Sequence, residues 1–190
     1  MKYLELRNRI KENLFTVFDI KKHFYDESEV LLKTQLSRFR AKGLIVKIKR
    51  GLYCFDATTV EEFELAGELY KPSYISLESA LNYYGGIPDI PQSVTCISLT
   101  NTKKISNQFG TFHYNKIKRE LFWGYQSRAG IRGGGNFLIA DRQKALLDFF
   151  YIRKIRSLED LRLDLGGFDF DIYRKYAKFF PDWVQRIKIN

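Results

Sequence analysis

Residues 28–55, SEVLLKTQLSRFRAKGLIVKIKRGLYCF, narrow the possible folds more than any other stretch of the chain. Ser28 can cap a helix because its hydroxyl accepts from the unpaired backbone donors of the first turn, and Gly43 can adopt the left-handed conformation that closes it. Between the caps, Leu32, Leu36 and Phe39 recur at helical spacing and define one apolar face. A rotation of roughly 100° per residue turns Thr34, Ser37, Arg38 and Ala41 to the opposite face, flanked by Lys33 and Arg40. That outer face carries small polar groups and one long guanidinium, a surface that suits a groove about 12 Å wide such as the major groove of B-DNA. Two strand-like runs follow and meet at Arg50-Gly51, and their Lys47, Lys49 and Arg50 suit contacts with phosphates.

The residues upstream extend the pattern. Residues 2–12 set Leu4, Leu6 and Ile10 on an expected inner side, and Thr16 can cap a second helix carrying Val17, Ile20 and Phe24. Three short helices followed by a two-stranded hairpin is the order of a winged helix-turn-helix, whose third helix enters the major groove. Residues 1–55 are therefore expected to bind DNA, with Arg38 reading bases and Lys33, Thr34, Ser37, Arg40, Lys47, Lys49 and Arg50 completing the contact surface. An ordinary three-helix unit whose charges form only a solvated face is the alternative.

Charge is unevenly distributed. Residues 1–55 carry 13 basic and 6 acidic side chains, residues 56–80 carry 1 and 6, and residues 81–190 carry 18 and 10. A reversal of sign this sharp predicts a boundary near residue 56, with an acidic connecting helix over 56–72 and a second domain over 56–190. The basic first block would release counterions from a phosphate backbone and give affinity that falls with salt. With 45% hydrophobic and 16% aromatic residues, the chain can bury a substantial core. It contains no apolar run of about 18 residues, and its first 20 residues read as a charged amphipathic helix; no membrane association and a cytoplasmic location are expected. Cys54 and Cys96 lie in separate strand-like runs and read as buried free thiols. His23 and His113 lack neighbours at metal-ligand spacing, and neither a metal nor a cofactor is expected.

Beyond residue 56 helices and strands are mixed. Thr59 with Glu62 has capping-box spacing, Ser76 can cap the helix LESALNYYG, and strands are expected over 93–100, 109–115, 121–125 and the NFLIA run. Asp141 can cap a helix over 141–152 whose Leu146, Leu147, Phe149 and Phe150 point almost all round, which predicts a central core element. Two further helices are expected near 157–165 and 171–179. The fold class is α+β: an N-terminal winged helix-turn-helix followed by a mixed α+β domain.

The segments PSYISLESALNYYGGIPDIPQSVTCISLT, FGTFHYNKIKRELFWGY and IADRQKALLDFFYI resemble the AbiEi family of antitoxins and transcriptional regulators of type IV toxin–antitoxin systems. The likeness runs from the first helices through the helix at 141–152. It implies a winged helix that binds inverted repeats in double-stranded promoter DNA of its own operon, and a C-terminal domain with antitoxic activity. It also implies a functional partner, an AbiEii-like nucleotidyltransferase toxin, opposed without a necessary stable complex. These are implications of the resemblance alone.

Several motifs remain open at the level of sequence. The loop RAGIRGGGN at 128–136 reads as a flexible hairpin, with phosphate contact as the alternative. Lys144 and Asp148, spaced i, i+4, read as a partly shielded ion pair or as part of an antitoxic surface, and Lys103, Lys104, Lys116, Lys118 and Arg119 as a second candidate partner surface or as solvated turns. Asp164, Asp169 and Asp171 raise the alternative of a metal-dependent nuclease, although Asp169 or Asp171 more naturally caps the last helix. A general winged-helix repressor with a ligand-sensing C-terminal domain is a third reading. Catalysis is not expected. No heptad seam is present, which favours a monomer that binds DNA cooperatively.

Overall fold

The caps anticipated from the sequence set the first helices. In the computed structural model, which describes residues 1–130, 135–158, 161–187 and 189, α1 spans Tyr3–Arg9, β1 Leu14–Thr16, α2 Val17–His23, α3 Glu29–Ala41, β2 Val46–Lys49 and β3 Leu52–Cys54. Thr16 caps α2 by accepting from the Asp19 N–H while Asp19 returns a bond to the Thr16 N–H, and Ser28 caps α3 by accepting from the Leu31 N–H. Each such cap stabilises by about 1 kcal/mol. Gly43 closes α3 at φ +68° and Gly51 turns the β2–β3 hairpin at φ +83°, both in the region that excludes most side chains. Leu6, Ile10, Phe15, Ile20, Phe24, Leu32, Leu36, Ile45 and Tyr53 form one buried cluster, with Phe39 and Phe55 packed partly against it. Leu4, expected on the inner side of α1, is 72% exposed; the short helix buries only its Leu6.

Sequence reasoning anticipated a two-stranded hairpin, and the structure adds β1 to make a three-stranded antiparallel sheet in the order β1-β3-β2. At three residues, β1 is too short for alternation to show.

The first compact unit runs on past residue 55. It comprises Met1–Leu69 with Ala129–Asn136, and so takes in α4, Glu62–Leu69. Two polar ties hold this extension. The Asn13 side chain accepts from the N–H groups of Phe55 and Asp56 and donates to the Asp56 carbonyl and the Thr59 hydroxyl. Lys49 donates to the carbonyls of Glu68 at 2.9 Å and Leu69 at 2.8 Å, neutralising the negative end of α4. Thr59 does not open α4 as a capping box; it ends a 3-10 turn at Ala57–Thr59.

The second unit, Tyr70–Arg128 with Phe137–Asn190, is built on a mixed six-stranded sheet. Its strands are β4 Ser73–Ile75, β5 Val94–Ser98, β6 Lys103–Asn107, β7 Gly110–Lys116, β8 Tyr125–Ala129 and β9 Asn136–Ala140, in the order β6-β7-β5-β4-β9-β8. β4 runs parallel to β9 and antiparallel to β5, while β7 runs parallel to β5 and antiparallel to β6. Helices α5 (Leu77–Tyr83), α6 (Arg142–Arg153), α7 (Phe170–Ala177) and α8 (Asp182–Gln185) complete it. The expected strand at 121–125 is replaced by a 3-10 turn at Arg119–Leu121, and the strand begins only at Tyr125. The described residues of 157–165 contain no helix, and the centre of the loop expected at 128–136 lies outside the described residues. α6 is the core element its sequence suggested: every residue from Gln143 to Phe150 is buried. No described helix is long and apolar enough to cross a membrane.

Glu64 on α4 is buried, accepts a backbone hydrogen bond from Gly135, and faces Glu12, Glu61 and Glu68. A Cβ at Gly135 would lie 2.5 Å from the Glu64 carboxylate, so any side chain there would have to displace that carboxylate. Burial, reinforced by the three neighbouring acids, raises the Glu64 carboxyl above its usual range. The folded state thus binds this proton more tightly than the unfolded chain, and stability falls as pH rises through the folded value. Glu64→Gln keeps an acceptor for Gly135 and removes the charge. It is expected to raise the melting temperature at pH 7 and to give no gain below about pH 4, where both states are protonated; an equal gain at both pH values in thermal melts would contradict this assignment.

Candidate functional site

The outward face of α3 and the β2–β3 hairpin border one concavity in the first unit. Its lining includes Lys33, Ser37 and Arg40 from the helix, Lys47 and Arg50 from the hairpin, and Leu36 and Tyr53 beneath them. The geometry follows from the local sequence. Burial of Leu32 and Leu36 fixes the rotation of α3, and the turn at Gly51 folds the hairpin back so that Arg50 stands at its tip. Lys21 braces the turn before α3 by donating to the Tyr25 carbonyl at 2.7 Å and to that of Glu27.

The eight residues singled out on this face are all exposed, but they are not equally free. The side chains of Arg38, Arg40, Lys47 and Arg50 have no hydrogen bond or ion pair among the described residues. Lys33 is paired with Glu29 one turn earlier, and its ammonium holds the Glu29 carboxyl below the usual range. Thr34 donates its hydroxyl proton to the Val30 carbonyl at 2.9 Å. Lys49, expected among the phosphate contacts, is instead committed to the carbonyls that end α4. Thr34 and Arg38 lie outside the concavity, further round the outer face of the helix.

The second candidate surface is gathered at one end of the β6–β7 ladder. Register pairs Lys103 with Tyr114 and Lys104 with His113, and the Lys116 N–H bonds the Thr102 hydroxyl at 3.1 Å; Lys103, Lys104 and Lys116 therefore share that end. Lys118 and Arg119 follow at the 3-10 turn. All five are exposed. Lys103 lies 5.1 Å from the centre of the Tyr70 ring, and Lys118 stands 3.8 Å from Glu120. β6 is an edge strand, where exposed lysines also discourage pairing with another chain.

Lys144 and Asp148 belong to no surface. Both are fully buried and form an ion pair on consecutive turns of α6. Tyr74 of β4 closes the network: its hydroxyl accepts from Lys144 and donates to Asp148, each at 2.9 Å, and Ser76 donates to the same carboxylate oxygen at 2.8 Å. The rings of Tyr74, Trp123 and Phe180 stand 5.3–5.4 Å from the ammonium. Desolvation pushes the Lys144 ammonium down and the Asp148 carboxyl up, while each charge opposes the shift of the other. The expectation of a partly shielded pair or an antitoxic surface is thus corrected: both side chains have no exposed area, enclosed by Tyr74, Ser76, Trp123 and Phe180.

The same network explains why the Ser76 hydroxyl does not cap α5. It turns to Asp148, with Leu77 following at φ +57°, and Thr95 of β5 takes over by accepting from the Ser79 N–H at 3.1 Å. Sequence reasoning assigned no chemistry to Tyr74; the alternation of polar and apolar residues in PSYIS was the available signal.

The acids of the nuclease alternative have local partners. Asp164 accepts from the Gly166 N–H, Asp169 caps α7, and Asp171 pairs with Arg174 at 2.7 Å. Among the described residues no three His, Cys, Asp or Glu side chains gather closely enough to hold a metal ion. Cys54 and Cys96 are buried and free, and burial pushes the Cys54 thiol up to about 11.

No protein-family model matches this sequence, and a search of curated proteins finds no match.

Removing one member of a buried pair leaves the other charge without compensation, at a cost of about 3–5 kcal/mol. Lys144→Met is expected to destabilise by that amount in urea denaturation, and adding Asp148→Leu to recover part of it. A single-variant loss below about 1 kcal/mol, the range of an exposed pair, would show that the network does not hold this unit together.

Proposed function

We propose that the chain is a DNA-binding repressor whose first unit is a winged helix-turn-helix, with α3 as the recognition helix and the β2–β3 hairpin as the wing. The observation that carries this reading is the concavity that gathers Lys33, Ser37, Arg40, Lys47 and Arg50 between helix and hairpin. Free cations on both walls of a groove are arranged to straddle a phosphate backbone while α3 lies in the major groove. Arg40, Lys47 and Arg50 hold phosphates. Arg38, on the outer face and free of partners, reaches base edges, where a guanidinium pairs best with guanine. Lys49 serves the protein's own helix and makes no phosphate contact.

The resemblance to the AbiEi family extends the proposal. The chain represses its own operon by binding inverted repeats in the promoter and acts in the cytoplasm as the antitoxin of a type IV system, opposing a nucleotidyltransferase-like toxin. It acts by binding and not by catalysis. The exposed cluster Lys103, Lys104, Lys116, Lys118 and Arg119 is the surface of the second unit best suited to an acidic or nucleic-acid partner. Inverted repeats call for two copies of α3 on related half-sites, supplied by two chains on one duplex.

Titration of fluorescent promoter duplex against the full chain over a range of salt concentrations tests the DNA-binding part. Lys47→Ala is expected to weaken binding to all sequences and to reduce the salt slope by about one phosphate contact, and Arg38→Ala to cost about 1–3 kcal/mol on the specific site alone. Lys49→Ala is expected to leave the salt slope unchanged. Equal losses on specific and random duplex for Arg38→Ala would remove it from base reading. Co-expression with the toxin tests the antitoxin part, with growth expected to be restored by the full chain.

A further inference from the structure

The outer stripe of α3 holds an unexplained group. Val30 is 76% exposed in the first turn of the helix. An exposed valine contributes little burial, and its branched side chain is a poorer helix former than alanine or leucine. At roughly 100° per residue, Val30, Thr34, Ser37 and Ala41 form a single outward stripe, opposite the buried Leu32 and Leu36. Thr34 donates its hydroxyl proton to the Val30 carbonyl, so it has no donor left to offer outward, only its methyl and an acceptor oxygen. Glu29, the acid nearest this end of the helix, is neutralised by Lys33. The stripe therefore presents methyl groups at Val30, Thr34 and Ala41 around a single uncommitted hydroxyl donor at Ser37, bordered on one side by Arg38 and on the other by the basic concavity.

Thymine is the base whose major-groove edge carries a methyl group. We infer that α3 reads thymine methyl groups, with Val30 and Thr34 as the specificity-determining residues. This rests on the proposed insertion of α3 into the major groove, and it adds the composition of the half-site. Val30 and Thr34 are separated by about one helical turn, roughly 6 Å, which spans about two base steps of B-DNA. The half-site then holds two thymines about two base pairs apart, next to a guanine opposite Arg38.

Deoxyuridine differs from thymidine only by this methyl group, which makes it a direct probe. The full chain is used to select duplexes from a randomised 20-base-pair pool, and each thymidine of the enriched sequence is then replaced in turn by deoxyuridine, with affinity followed by fluorescence anisotropy. Loss of one buried methyl contact is expected to weaken binding about fourfold at one or two positions per half-site. Thr34→Ser, which keeps the hydroxyl and removes the methyl, and Val30→Ala are each expected to bind the thymidine duplex about as weakly and to become insensitive to deoxyuridine at their own position. Circular-dichroism melts verify that both variants remain folded. Tolerance of deoxyuridine everywhere in an enriched sequence, or undiminished sensitivity in both variants, overturns the methyl reading while leaving DNA binding intact. A pool that yields no enriched sequence overturns base reading by α3 and the methyl reading with it; absence of binding to any duplex at low salt overturns the DNA-binding reading itself.

Discussion

A charge pair that water cannot reach is the constraint on which the second unit depends. Lys144 and Asp148 are fully buried on α6, and each would be costly there alone. Their presence obliges the surrounding elements to take up particular positions. Tyr74 must bring β4 to the start of α6 so that its hydroxyl can bridge the two charges, Ser76 must turn inward after it, and Gly124 must lack a side chain, because a Cβ there would lie 2.8 Å from the Lys144 stem. A purely apolar core would tolerate α6 at several rotations. A core with one ion pair and two hydroxyls accepts only the arrangement that satisfies all four groups.

In the first unit the corresponding question is which cations are already engaged. Of the eight side chains on the α3 and hairpin face, Lys33 answers Glu29, Lys49 answers the end of α4, and the hydroxyl of Thr34 answers Val30. The free positive charge is concentrated in Arg38, Arg40, Lys47 and Arg50. The formal excess of basic residues in this segment therefore overstates the charge available to a ligand; of the four, Arg40, Lys47 and Arg50 lie where helix and hairpin face each other, and Arg38 stands further round the outer face of α3.

Much of this was legible in the chain because it is encoded by neighbours in sequence. Thr16, Ser28 and Gly43 mark helix ends within one turn of the groups they serve, and α6 declared its burial through Leu146, Leu147, Phe149 and Phe150. What escaped depends on partners distant in sequence. β1 becomes a strand only because Leu52–Cys54 lies beside it. Ser76 looked like a cap and is diverted by a carboxylate 72 residues away. Lys49 looked like a phosphate ligand and serves carbonyls about 20 residues on. For Lys144 and Asp148, i, i+4 spacing reveals a pair but not the rings that close over it, and an exposed pair has the same spacing. On the candidate site the helical period suffices to turn Thr34, Ser37 and Arg38 outward, whereas spacing alone does not reveal that Lys33, Thr34 and Lys49 are engaged within the chain.

The lysines of β6 bear on how the chain behaves in a crowded solution. An open sheet grows by adding strands at its margins, and a free margin is an invitation to a neighbouring molecule. Here one margin bears Lys103 and Lys104 and the other ends in β8, where Arg128 is exposed. Two copies meeting margin to margin would bring like charges together before any backbone bond could form. The charges on both margins thus oppose edge-to-edge pairing, and the sheet's resistance to fibrous self-association should weaken as added salt screens those charges.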